Sequence, residues 1–77
     1  MTNQQELIAE AMRKSGLDAN KIEDREHFAE KIMGRHERTV RRWLKGTTSM
    51  EAATEAWLRK WNELSEPTRD RILGALR

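Results

Sequence analysis

The chain has no cysteine, a single proline and no run of apolar residues longer than three. Without a thiol there is neither a disulfide nor a thiolate metal site, a usage that fits a reducing cytoplasm. Apolar runs this short exclude a membrane span, and no signal-peptide hydrophobic segment follows Met1. Alternation of apolar and polar residues is missing, as is any β-branched run long enough for a strand. There is no Gly-rich phosphate loop. What these absences leave is an all-α protein expected in the cytoplasm, with no cofactor.

What the chain does have is charge and helical period. Charged residues make up 36% of it and hydrophobic residues another 36%, interleaved at a spacing near 3.6, which predicts amphipathic helices throughout. Seventy-seven residues make one domain spanning 1–77 with a modest core, and small domains of this size tend to gain stability by associating. The predicted architecture is a compact bundle of about five short helices.

The first helix opens on a capping box at Thr2 and Gln5, turns Leu7, Ile8, Ala11 and Met12 inward, and ends near Gly16. Leu17 to Asp24 reads as a connector, with Ile22 plugging the edge of the core. Asp24 is expected to cap a second helix from about Arg25 to Met33 that buries Phe28, Ala29 and Ile32. Gly34 stops it. A third helix follows from about Glu37 to Lys45, with Val40, Trp43 and Leu44 inward and Gly46 as its stop. Thr48 and Glu51 form a second capping box for a helix reaching Leu64, whose apolar stripe is Ala53, Trp57, Trp61 and Leu64, with Ala56 and Leu58 beside it. Ser65-Glu66-Pro67 breaks the chain, and Pro67 suits the first turn of a last helix carrying Ile72, Leu73 and Leu76.

Charge is not spread evenly over these helices. Residues 1–34 are slightly acidic and residues 51–77 balance, whereas 35–50 hold Arg35, Arg38, Arg41, Arg42 and Lys45 against Glu37 alone. The positive excess therefore sits on the third helix and its approach, behind a tight glycine turn. A short cationic helix placed this way suits an anionic groove. Side chains near its N-terminus would reach furthest into a DNA major groove, where arginine can bond a guanine edge at two points. His36, Glu37, Arg38 and Arg41 are accordingly the expected base readers, Glu37 by accepting from a cytosine amino group. Arg35, Thr39, Arg42 and Lys45 are the expected phosphate contacts.

Residues 28–46, and above all Arg38-Thr39-Val40-Arg41-Arg42-Trp43-Leu44 behind the turn glycine Gly34, resemble the Cro and phage-repressor type (Xre-like) helix-turn-helix. In two respects the segment departs from the commonest form. One more residue precedes Gly34, and His36 stands where Ser or Asp usually caps. The resemblance implies double-stranded DNA binding by the third helix, a homodimer on a partly palindromic operator, and transcriptional regulation, in bacteria at the nucleoid. Repression by occupying a promoter is the expected mode, autoregulatory as in phage and mobile elements, with no small-molecule effector. Regulators that accompany anti-CRISPR genes and antitoxins of toxin–antitoxin pairs are resembled equally.

The two C-terminal helices, within 51–77, hold more apolar surface than so small a bundle can bury. Trp57, Leu58, Trp61, Ile72, Leu73 and Leu76 are therefore expected to contribute to a two-fold interface. The alternatives are a protein-binding module such as an antitoxin, and a DNA-bending or excision factor. Catalysis is not expected. His36-Glu37 begins like a zinc-protease helix, but Val40 stands where the second histidine belongs, and Ser15, Ser49 and Ser65 sit at turns or helix ends. No catalytic residue and no metal ligand is expected.

Overall fold

The computed structural model describes residues 3–76, an all-helical protein in which five helices close around one core. Helix α1 (Gln4–Lys14) is its hub, packing against the third and fourth helices. Leu7, Ile8, Ala11 and Met12 fall on one face and are buried, as their spacing predicts. The helix is capped by Asn3, whose side-chain oxygen accepts from the Glu6 N–H at 2.8 Å. Thr2, the expected cap, lies outside the described residues.

Helix α2 (Ile22–His27) starts three residues before the predicted position. Asp24 is not its cap. The carboxylate instead accepts from the Asp18 N–H at 2.8 Å and folds the connector onto the helix. Ile22 does not plug the core either, since it is 47% exposed at the first turn. From Phe28 the helix continues as a π-helical turn (Phe28–Met33), and the N–H groups of Gly34 and Arg35 both reach back to the Ala29 carbonyl. A π turn is how a helix absorbs one extra residue while its backbone stays hydrogen-bonded. The turn before Gly34 is thus one residue wider than an α-helical turn. Phe28 and Ala29 are fully buried, with Ile32 and Met33 partly so.

Gly34 closes this helix in the left-handed conformation, φ 67°, and a Cβ there would meet no atom within 4 Å. Its requirement is therefore one of backbone alone. Gly34→Ala is expected to cost about 1–2 kcal/mol and Gly34→Asn less, as read by denaturant unfolding. An equal cost for both would refute a purely conformational cause.

Helix α3 (Glu37–Lys45) matches its predicted bounds, with Val40 and Trp43 buried and Leu44 half-buried. The following turn is stitched to α1 by Gln4, whose Oε1 accepts from the Met50 N–H at 2.8 Å while its Nε2 donates to the Thr48 carbonyl. This replaces the predicted Thr48–Glu51 box, and Glu51 is the N-cap of α4 without a side-chain capping bond.

In α4 (Ala52–Glu63) the buried residues are Thr54, Leu58, Trp61 and Asn62. The helix is therefore rotated from the predicted stripe, leaving Ala53, Ala56 and Trp57 exposed. Helix α5 (Glu66–Ala75) begins with Pro67 in its first turn, as predicted, and is capped by Ser65. It docks through Leu73 and through Arg69, whose guanidinium donates to the carbonyls of Trp61, Asn62 and Leu64. Arg69 thereby satisfies the orphan carbonyls at the end of α4. Leu58, Trp61 and Leu73, expected at an interface, are core residues at 0%, 4% and 8% exposure. Leu76 is half-buried, and only Trp57 and Ile72 of that set are exposed. Among the described residues no helix is long and apolar enough to cross a membrane.

Candidate nucleic-acid interface

Helix α3 is held by its apolar face, so its opposite face is the one presented. Val40 and Trp43 lock it against α1 and the π turn. His36 caps its N-terminus with Nδ1, which accepts from the Arg38 N–H at 3.1 Å. An imidazole nitrogen thus does the work of the usual Ser or Asp oxygen. The ring stays exposed, but one of its nitrogens is committed to the helix.

Glu37 does not face outward. It is 8% exposed, and its Oε2 lies 3.0 Å from Arg25 Nε. Arg25 in turn donates to the Ala19 carbonyl at 2.9 Å, so one guanidinium ties together the connector, α2 and the first turn of α3. The expectation that Glu37 reads a base is corrected by this burial: a carboxylate inside an ion pair cannot reach a groove floor. Its position at the start of α3 also lets it favour the positive end of the helix dipole.

Turning Glu37 inward leaves the outward face of α3 with cations only. Arg38, Arg42 and Lys45 are exposed, and Arg41 is half-buried. Among the described residues none of these four is ion-paired to a carboxylate. Elsewhere some described carboxylates do find cations, as Glu10 does with Arg13 and Lys14, and Glu55 with Arg59. Thr39 is half-buried on the flank.

The five expected cations separate into three positions. Arg38 and Arg42 stand on the open face. Arg41 and Lys45 line, with Ala19, Asn20, Arg25 and Leu44, a shallow depression of about 420 Å³ between α3 and the connector. Arg35 leans the other way, with its Nη2 at 3.4 Å from Thr54 Oγ1 and 4.0 Å from Glu51 Oε2 on the α4 side. An exposed pair at that distance is weak, so Arg35 is set apart from the α3 face by direction more than by strength.

Sequence reasoning did not single out Arg25 or Asn20. Nothing local marks Arg25 as the partner of a glutamate twelve residues away, because the pairing exists only once α2 and α3 cross. No protein-family model, curated protein or solved structure matches this chain.

Proposed function

We propose that α2, its π turn and α3 act as a helix-turn-helix that binds double-stranded DNA, and that the protein is a sequence-specific transcriptional regulator, a repressor by promoter occupancy. The observation that carries this reading is the composition of the α3 outward face. Its one carboxylate is buried and neutralised, while Arg38, Arg41, Arg42 and Lys45 have no acidic partner among the described residues. Unpaired cations on a rigidly seated helix suit a phosphate-lined groove. The operator is a partly palindromic site, each half taken by one copy of the chain.

Arg38 is the principal base reader in this reading, being exposed at the first turn of α3, with His36 beside it. Arg41 moves to a backbone role, since it shares the flank depression with Lys45 and Arg25, where a phosphate fits better than a base edge. Arg42 grips the backbone from the open face. Arg38→Ala is expected to lose about 1–3 kcal/mol of affinity and to relax preference at one base position, whereas Arg42→Ala weakens all duplexes alike. A uniform loss for Arg38→Ala would reassign it to phosphate.

Selection of bound duplexes from a random library by the purified protein tests the reading. Enrichment of one motif supports it, and binding without enrichment sinks the sequence-specific part. Salt dependence separates the rival class, because each phosphate contact steepens the logarithmic slope by about 0.9. A protein-binding module centred on tryptophan would respond little to salt.

A further inference from the structure

The rotation of α4 leaves a face that neither the core nor the DNA reading uses. Trp57, 39% exposed, stands on it as a ridge between two depressions. One, of about 240 Å³, has Ile32, Met33, Ala53 and Thr54 around it, with Arg35 and Glu51 at its polar end. The other, of about 300 Å³, is formed with Lys60, Trp61, Leu64 and Ile72. Trp57 is stacked on Trp61, ring centroids 5.4 Å apart and planes 13° from parallel. A ring already fixed in this way loses little freedom when something docks on it.

We propose that this face pairs with the same face of a second copy, α4 against α4 and antiparallel, each Trp57 seated in the Ile32–Met33–Ala53 depression of the other copy. The surface supplies both the knob and the hole, which is the condition for an isologous two-fold contact. Its register is set by two independent features. Placing the two-fold axis between Glu55 and Ala56 sets Trp57 over Ala53 and Thr54 of the second copy. The same axis sets Lys60 opposite Glu51, so opposite charges meet at both ends of the contact. Exposed alanines at 52, 53 and 56 allow the two helices to approach closely around that axis. Mixed charge, with Arg35 and Glu51 in one depression and Lys60 in the other, favours a second copy over a partner of uniform charge.

The π turn has a role here. One residue wider than an α-helical turn, it leaves Ile32 and Met33 beside α4 as the wall of the receiving depression. The pairing deepens the proposed function and rests on its two-copy reading, though not on the DNA contact itself.

Sedimentation equilibrium of the full chain without DNA is the test. Wild-type protein is expected to be a dimer, and Trp57→Glu to weaken self-association by roughly thirtyfold or more, as loss of a central aromatic anchor does. Because Trp57 is exposed, the variant should keep its helical circular dichroism. Glu51→Lys and Lys60→Glu should each weaken the dimer and together restore it. As the chain contains no cysteine, Ala56→Cys should form an intermolecular disulfide on mild oxidation, and Arg71→Cys on α5 should not.

A wild-type monomer at its highest soluble concentration would overturn the pairing, as would a dimer indifferent to Trp57→Glu. Failure of the charge swap to restore would overturn the register. A monomer that still selects one asymmetric DNA half-site would sink the pairing and leave DNA binding intact. A dimer that selects no DNA would do the reverse.

Discussion

Trp61→Ala is expected to remove about 3–5 kcal/mol of stability, while Trp57→Ala, four residues earlier on the same helix, should remove about 1 kcal/mol or less when measured on monomer. The two rings stack on each other, yet they sit on opposite sides of the boundary between core and solvent. Trp61 is 4% exposed and belongs to the cluster built on α1, and its Nε1 donates to Ser15 Oγ at 3.1 Å. Truncation leaves a cavity between α1 and α4, removes the indole donor from a hydroxyl that keeps only its own bond to the Ala11 carbonyl, and loosens the end of α4 on which Arg69 rests. A domain of this size has a total stability of about 4–12 kcal/mol, so the loss takes a large share of it. Thermal unfolding should show a drop of more than about 12 °C for Trp61→Ala. Equal drops for the two tryptophans would mean that Trp57 is as much a part of the core as Trp61.

Removing either partner of the Arg25–Glu37 pair is expected to cost about 3 kcal/mol, because the remaining charge stays largely buried without compensation. The two side chains are only 16% and 10% exposed, and the pair is 3.0 Å long. Glu37→Gln keeps an amide oxygen that can accept from Arg25 Nε but removes the charge that compensates the buried guanidinium. Arg25→Met combined with Glu37→Leu should recover most of the loss, since apolar replacement of both members avoids the desolvated charge. Denaturant unfolding of the four proteins as a double-mutant cycle gives the coupling directly. Single losses below about 1 kcal/mol would show that water reaches the pair and that α3 does not depend on it. On the proposed function, Glu37→Gln also weakens DNA binding by misaiming α3, without altering which sequence is preferred. A changed preference would return Glu37 to the groove.

Much of this arrangement can be read along the chain. The bounds of α3 follow from the period of Val40 and Trp43 between two glycines, and the buried face of α1 follows from four apolar residues at helical spacing. The all-helical class follows from the same periodicity. Each of these is decided within one or two turns of helix, where sequence neighbours are spatial neighbours. The segregation of cations onto 35–50 is likewise a property of order along the chain.

The inward turn of Glu37, the π turn and the burial of Arg69 are of another kind. Arg69 looks like a solvated surface residue until the end of α4 presents three carbonyls within reach of its guanidinium. The α4 stripe is the clearest case. Two candidate faces, one through Ala53, Trp57 and Leu64 and one through Thr54, Leu58 and Asn62, share Trp61 and differ by a rotation of about one residue, roughly 100°. Hydrophobicity favours the first, because it carries the extra tryptophan. Packing against α1 selects the second, in which Asn62 Nδ2 bonds the Leu7 carbonyl at 3.3 Å and Leu58 is sealed completely.

The sequence by itself determined which segments are helices, where glycine ends three of them, and which helix carries the positive charge, because those depend on short-range geometry and composition. Only the tertiary structure decided which α3 side chains remain free, which tryptophan is core, and where an apolar face stays open. Those depend on how helices rotate and cross to satisfy buried carbonyls and paired charges, and no local pattern in the chain encodes that choice.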